Sequence, residues 1–342
     1  MSRGIWLSLV CCTVVLLSSS WSRAALRRVP AQYPTIQAAI DAARDGDEIR
    51  VSRGQYCGAT VTKRVRLEGR GKPRIVGCDT GPTVSAGTRV GFFLPGSKGV
   101  NPASGSAITG FVFDGRGVGN ANLAPLAFGI FARFASDVEV SRNTFRGTVQ
   151  AITNTAGDRW LIAHNRITEL TLFDCTVRCS GGDGIVLGIA TGALAGAGGA
   201  AAAINRAEGN VIVHNFIAGS APDGFSRFSM AGILLLAADH TSVFNNTLRM
   251  ADNPAADSVG QGILVTNTCC GLASGFLPGS RNTTLAFNHG RKSETAIVVE
   301  GTGGTNTEGL VLQRNRGKTV VEGAQLQLLK AAPAPVLAQP EL

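Results

Sequence analysis

FGIFARFASDVEVSRNTFRGTVQAITNTAGDRWLIAHN, residues 128–165, carries a fixed internal spacing. Ile130 is followed thirteen residues later by Asn143, Asn143 nine residues later by Ile152, and Ile152 thirteen residues later by Asn165. Thirteen and nine make a unit of 22 residues. Ile233/Asn246 repeats the spacing of thirteen and Asn288/Ile297 that of nine, while Ile185/Asn215, Ile263/Asn288 and Ile297/Asn315 keep the order with residues inserted. Each of these Ile residues follows a Gly or an Ala. Self-similarity on this scale denotes a stack in which each unit buries its apolar face on the next. The runs 138–140, 211–213, 263–265 and 297–299 are short, β-branched and flanked by turn residues, as strands are. An all-β solenoid follows, with about 22 residues per coil and three short parallel sheets around a dry core.

The repeating Asn has two physical uses. It tolerates the left-handed backbone of a tight bend, and identical amides one coil apart can bond along the stack. Asn143, Asn165, Asn215, Asn246, Asn288 and Asn315 are therefore read as a structural ladder, with Phe111 at the same place one coil earlier. His164 and His214 precede two ladder residues and are expected on adjacent coils. Arg142, Asn245, Phe287 and Arg314 fill the same column, which reads as an exposed turn rather than a metal site.

An open solenoid end exposes core and sheet edge and needs a cap. Residues 35–43, TIQAAIDAA, read as a short α-helix with Thr35 as N-cap, Ile36, Ala39 and Ile40 as its apolar face, and Gly46 as its stop. Val51, Val61, Val65 and Leu67 then open the first coils. Residues 331–342 are rich in Pro and Ala and are expected to be a disordered tail. Residues 1–24 read as a signal peptide: Arg3, an apolar run over 5–17 too short to span a bilayer, and Ser22-Arg23-Ala24 before the cut. The β-helix domain is placed at 25–330 and the mature protein outside the cytoplasm, secreted or periplasmic, with no membrane span.

The formal charge is +9, and falls to +7 when Arg3 and Arg23 are removed. No run of Lys and Arg and few aromatics point away from nucleic acid. A modest cationic excess outside the cytoplasm suits an acidic polysaccharide. Of eight cysteines, six lie beyond residue 24. Cys57 and Cys78 are 21 apart, close to one coil. Strands stacked about 4.8 Å apart suit the Cα separation of a disulfide, so these two are the expected pair. Cys175 and Cys179 can close a small loop, and Cys269 and Cys270 are unassigned. No Cys/His spacing fits zinc; no metal or cofactor is expected, apart from calcium if the protein is a lyase.

Tyr33-Pro34-Thr35-Ile36-Gln37-Ala38-Ala39-Ile40-Asp41-Ala42-Ala43, with Gly46-Asp47 and Gly54-Gln55-Tyr56, resembles the start of pectinesterases. The later Gly-Ile…Asn coils resemble the repeats of the pectin lyase-like superfamily, and together the likeness covers about residues 30–320. It implies a right-handed, single-stranded parallel β-helix. It implies no one activity, since that superfamily holds lyases, hydrolases, esterases, epimerases and adhesins. The Gln-Asp and Arg-Pro-Trp elements of pectinesterases are missing, and only Val149-Gln150-Ala151-Ile152 has a distant likeness to one of their segments. Gly182-Asp183-Gly184 has one Asp where polygalacturonases need two, and neither their Gly-His-Gly nor the Asp-Pro-His-Asp of alginate epimerases occurs.

Departures from the spacing locate insertions. Ile185/Asn215, Ile263/Asn288 and Ile297/Asn315 exceed thirteen by 17, 12 and 5, and the intervals after Asn165, Asn215 and Asn246 exceed nine by 11, 9 and 8. All six flank the Gly-Ile strand, so the inserted loops are expected to wall one face, where sites are commonly built. Outward positions on that face are two before the Ile, one after and three after. They include Gln150, Gln261 and Arg133 as substrate-binding candidates, and an apolar middle column that the loops would cover. Asp183 opens one of these strands, and the loops supply Arg178, Asp223 and Arg227; this Asp/Arg set is the candidate catalytic group for an acidic sugar. The leading reading is a monomeric, exported protein that binds or processes an acidic polysaccharide, as a lyase or glycoside hydrolase rather than a pectinesterase. The alternative is a non-catalytic surface or envelope protein, structural or adhesive.

Overall fold

The structure, a computed structural model, describes residues 24–84, 87–97, 99–116, 125–171, 183–188, 206–220, 229–252, 259–266, 279–290, 295–300 and 307–322. These residues form an all-β parallel β-helix of three long sheets. The first sheet has ten strands, from Leu26–Val29 to Val311–Gln313, and the second has seven, from Gln55–Cys57 to Thr247–Ala251. The third runs in series from Ala59–Thr60 to Lys318–Glu322, with Thr83–Val84 folded antiparallel against Thr88–Leu94. Every strand pair that stacks one coil on the next is parallel, and the register Ile130, Ile152, Ile185, Ile233, Ile263, Ile297 is unbroken. The Gly-Ile strands are therefore the third sheet.

Each sheet contributes one apolar row to the core. Ile108, Val140, Ile162, Ile212, Val243 and Leu285 come from the first; Phe113, Phe145, Ile167, Ile217 and Leu248 from the second; all are buried. No strand of three residues could hide its apolar side chain alone, and stacking supplies the cover. Phe113 and Phe145 stack with ring centroids 4.6 Å apart, so the core repeats with the backbone.

The Asn ladder is continuous at the bend between the first and second sheets. Asn143 Nδ2 donates to Asn165 Oδ1 at 3.2 Å, Asn165 to Asn215 at 3.0 Å, Asn215 to Asn246 at 3.0 Å, Asn246 to Asn288 at 3.0 Å and Asn288 to Asn315 at 3.0 Å. Each Oδ1 also accepts the backbone N–H one coil earlier, and the Phe111 N–H closes the series on Asn143. Each Nδ2 reaches a backbone carbonyl as well, such as Ile162 O from Asn215 at 2.8 Å. The left-handed backbone is not on these Asn residues, as their residue type suggested, but on the residue before. Arg142, His164, His214, Asn245, Phe287 and Arg314 all have φ between 49° and 57°. Such a backbone costs a non-glycine about 1 kcal/mol or more, and three or four buried amide bonds of about 1 kcal/mol each outweigh it. The bend is held from the ladder position, which leaves the strained position open to almost any side chain.

The helix is Ile36–Ala42, with Thr35 Oγ1 accepting from the Ala38 N–H at 3.1 Å and with Ile36, Ala39 and Ile40 buried. It ends at Ala42, before Gly46. One strand was not visible in the sequence: Leu26–Val29 precedes the helix and pairs with Glu48–Val51. Arg27 disguises it. Its guanidinium meets Asp47 at 2.8 Å and Tyr33 Oη at 2.6 Å, so an apparently polar run is a paired strand. Cys57 and Cys78 form the expected disulfide, with Cα atoms 5.4 Å apart. The coil partner of Cys57 is Val76, so the bridge reaches two residues past the rung. The signal peptide, Cys175, Cys179, Cys269, Cys270 and the tail lie outside the described residues. Among those described, no helix is long and apolar enough to cross a membrane.

Replacing Asn215 by Ala removes its donations to Ile162 O, Val213 O and Asn246 Oδ1 and the acceptor for Asn165, leaving buried groups unpaired at about 1–3 kcal/mol each. A loss of about 3 kcal/mol is expected from denaturant unfolding. Asn315→Ala, at the end of the described ladder, should cost less than half as much; equal losses would argue against a cooperative ladder.

Candidate functional site

The third-sheet strands bend at the small residue. A Cβ on Gly129 would lie 2.5 Å from the Phe145 ring, inside the core, and Ile130 beside it is buried. Two consecutive positions thus face inward, and Phe128 and Phe131 on either side both face out, their ring centroids 5.2 Å apart. The Gly is required by close approach between coils: a Cβ at Gly129, Gly184, Gly232 or Gly262 would sit 2.5–2.7 Å from the carbonyl oxygen of the following coil. Ala151 and Ala296 occupy the same column, so it accepts at most a methyl group.

Outward side chains fall in columns, as expected. Phe128, Gln150 and Asp183 are paired coil to coil, Ala231 donates its N–H to Asp183 Oδ1 at 3.1 Å, and Gln261 continues the column. In the middle column Val186 and Val298 are buried and Phe131, Leu234 and Leu264 half-buried, so the apolar stripe is largely covered. At its first coils Val90, Ala127, Phe128 and Val149 cluster with Val84, Phe93 and Phe131, closing that end.

The polar members of the face are unequal. Gln150 is half-buried and accepts from Thr153 Oγ1 at 2.7 Å. Asp183, one coil on, is 8 % exposed; burial pushes its carboxyl up to about 7, against the smaller opposing effect of the Ala231 N–H. Gln261, two coils past Asp183, is 7 % exposed, and its Oε1 has no hydrogen-bond partner. Ala231, the residue between them, has the shortest side chain in the column. Arg133 stands apart, exposed at the other edge, with its guanidinium 5.6 Å from the Phe131 ring centroid. The face therefore aligns Gln150, Asp183 and Gln261 and leaves Arg133 outside that line. Arg178, Asp223 and Arg227 lie outside the described residues, as do the inserted segments.

His164 and His214 stack at the ladder bend, ring centroids 5.1 Å apart and 4° from parallel. Burial, then His214, then Arg142 hold His164 below the ordinary histidine range. Among the described residues no three His, Cys, Asp or Glu side chains are placed to share a metal ion.

A second surface was missed. Arg142 and Arg314 precede ladder Asn residues and Arg166 and Arg316 follow them; Arg146 and Arg249 project from the second sheet. In the chain these six are spread over about 175 residues, and the stack assembles them on one face. The signal was present as basic residues beside the ladder positions.

No family model matches the chain, and no curated protein matches its sequence. Solved structures do match. The PfbA surface adhesin of Streptococcus pneumoniae aligns over 85 % of this chain and 75 % of its own, at 13 % identity and a TM-score of 0.57. The catalytic domain of a GH87 α-1,3-glucanase in complex with tetrasaccharides aligns over 89 % and 67 %, at 10 % identity and a TM-score of 0.42. Alginate lyase from Paenibacillus sp. str. FPU-7 aligns over 84 % and 94 %, at 12 % identity and a TM-score of 0.34. At these identities the likeness is one of fold, the parallel β-helix.

The Asp183 carboxyl gives a pH dependence whose sign is fixed. Its folded pKa, about 7, exceeds the unfolded value, so the folded state holds the extra proton and stability falls as pH rises from about 4 to about 7. Asp183→Asn removes this dependence. The stability of the variant relative to the parent should rise by up to about 4 kcal/mol between pH 4 and pH 8. Parallel pH–stability curves would show an Asp183 that titrates normally.

Proposed function

We propose that this is an exported protein that recognises a polysaccharide chain on the outer face of the third sheet, with Asp183 as the acid/base group. One observation carries the proposal. Gln150, Asp183 and Gln261 lie in one column, and that column holds both a buried carboxyl with a raised pKa and a buried amide oxygen without a partner. A buried carbonyl oxygen left unpaired costs about 1–3 kcal/mol, and sugar hydroxyls are the donors that would satisfy it. A carboxyl near neutral pKa can donate to a glycosidic oxygen or accept from a hydroxyl.

Hydrolysis needs a second carboxyl within about 10 Å. Glu300 and Glu322 lie three and four coils beyond Asp183 on the same sheet, at about 4.8 Å per coil. Neither strand position is near enough, and within the proposed loop set Arg178, Asp223 and Arg227 the carboxyl that would serve is Asp223. Elimination is the reaction that set suits best: an Arg acts as base, while a second Arg or calcium neutralises the uronate. The adhesive reading is favoured by the fold shared with a surface adhesin.

Incubation with pectate and alginate, with and without calcium, tests the choice. Unsaturated products or new reducing ends that vanish in Asp183→Asn support chemistry at this face. Retention without turnover, weakened in Asp183→Asn and Gln261→Leu, supports the adhesive reading. Neither turnover nor any effect of those two variants on retention sinks the third-sheet site.

A further inference from the structure

The outer face of the second sheet and the adjoining ladder bend carry Arg142, Arg146, Arg166, Arg249, Arg314 and Arg316, none of them in an ion pair among the described residues. Arg146 is half-buried and the other five are exposed. His164, His214 and His289 are exposed among them. Several arginines elsewhere are matched. Asp114 takes Arg116 and Arg74, both at 2.9 Å, and Arg116 first, with Arg74 adding, holds its carboxyl at about 2. Asp239 takes Arg206 and Arg281, and Asp137 takes Arg159. Past the Asp114 coil the face has no carboxylate among the described residues. Glu169 and Asp252 lie at its edge, turned to Arg116 and to the Gly260 N–H.

The six arginines span the coils from Asn143 to Asn315, five steps of about 4.8 Å, or roughly 24 Å. Arg142, Arg146 and Arg166 lie on two adjacent coils, and Arg249 and then Arg314 and Arg316 follow at two-coil intervals of about 10 Å. That interval is comparable with the screening length of about 8 Å at physiological salt and shorter than the screening length at low salt, so their fields add most at low salt. Three features describe the occupant. The six fall in three neighbouring columns, Arg142 with Arg314, Arg166 with Arg316 and Arg146 with Arg249, and together make a band along the stack, which suits an extended polyanion. Thr144, Thr168 and Thr247 lie between the cations and can exchange hydrogen bonds with hydroxyl groups. Phe216 in the sheet and Phe287 at the bend are half-buried, with Arg166 4.4 Å and Arg249 6.0 Å from the first ring centroid and Arg314 5.8 Å from the second, so neither is an open platform for bases. The exposed large apolar side chains among the described residues, Val100, Leu161 and Val321, are not on this face, so nothing there inserts into a lipid surface.

We infer that this arginine row is a docking surface for a linear acidic polysaccharide, a polyuronate or sulfated glycan lying along the stack. The inference is independent of the third-sheet site. It places the acid selectivity on the second sheet, so a polymer could be held there while another segment occupies the Asp183 face.

Binding of full-length alginate and polygalacturonate would be measured from low to physiological salt. The wild-type protein, Arg142→Ser/Arg166→Ser/Arg249→Ser, Asp183→Asn, and Arg28→Ser/Arg53→Ser/Arg64→Ser would be compared. The last variant makes the same charge change at exposed positions off the row. Loss of affinity of about tenfold or more at low salt, with a flatter dependence on salt, is expected for the row variant and not for the off-row variant, while Asp183→Asn leaves the salt dependence as in the wild type. Equal losses in row and off-row variants would reduce the effect to net charge and overturn the inference. So would failure of the wild type to bind at low salt. Stronger binding to single-stranded DNA, or to phosphatidylglycerol vesicles, than to polyuronate would overturn the choice of partner. Because Asp183→Asn is measured in parallel, failure of the third-sheet reading is seen separately.

Discussion

The bond on which this fold depends is the amide-to-amide hydrogen bond between Asn residues one coil apart. The chain must turn sharply between the first and second sheets in every coil. It does so through a left-handed residue, which is unfavourable for any side chain but Gly. The Asn that follows compensates from inside the bend. Its oxygen takes two donors from the coil before, and its NH₂ spans to the next Asn and to a backbone carbonyl. These groups are buried in apolar surroundings, where an unmet partner is costly. The ladder thus sets the register of the stack: sliding one coil by a residue would unpair two amides at once.

A bend held from the interior leaves its outer positions free. The same logic governs the third sheet, where the Gly or Ala before each Ile is confined by the next coil's carbonyl and the outward residues on either side are not. Constraint and freedom therefore run in columns along the axis. Asn and Gly columns build the stack, and the columns beside them can be filled with whatever the protein's surroundings demand. Both proposed surfaces are built from columns of this second kind. Gln150, Asp183 and Gln261 line one, and the arginines flanking the ladder line the other.

This explains what could be read from the chain. The spacing of Ile and Asn reports on constrained positions, so the sheets, the ladder, the helix face and the Cys57–Cys78 bridge were all legible. Leu26–Val29 was not, because its Arg27 looks exposed until Asp47 and Tyr33 are brought to it by folding. The left-handed residue was placed one position late for a related reason. Residue preference points to Asn, whereas the ladder shifts the strain onto a neighbour of arbitrary type. The arginine row escaped notice because clustering was sought along the chain, and a solenoid brings together residues a whole coil apart. Asp183 was visible as a candidate, but its raised pKa depends on burial, which no local pattern encodes.

The two faces differ in what they withhold from water. Asp183 and Gln261 are buried polar groups, and Gln261 Oε1 has no partner, so their cost to the free protein is desolvation, which a ligand would offset through directed hydrogen bonds at a few atoms. The arginines are hydrated, and their cost is mutual repulsion, which any extended anion relieves without close fit. The first kind of surface discriminates by geometry at short range, the second gathers by charge at long range. A β-helix can carry both at once because its sheets face different directions and share only the core. If both proposed surfaces take one polymer, the arrangement separates holding the chain from reading it, and the core shared by the second and third sheets fixes the distance from one to the other.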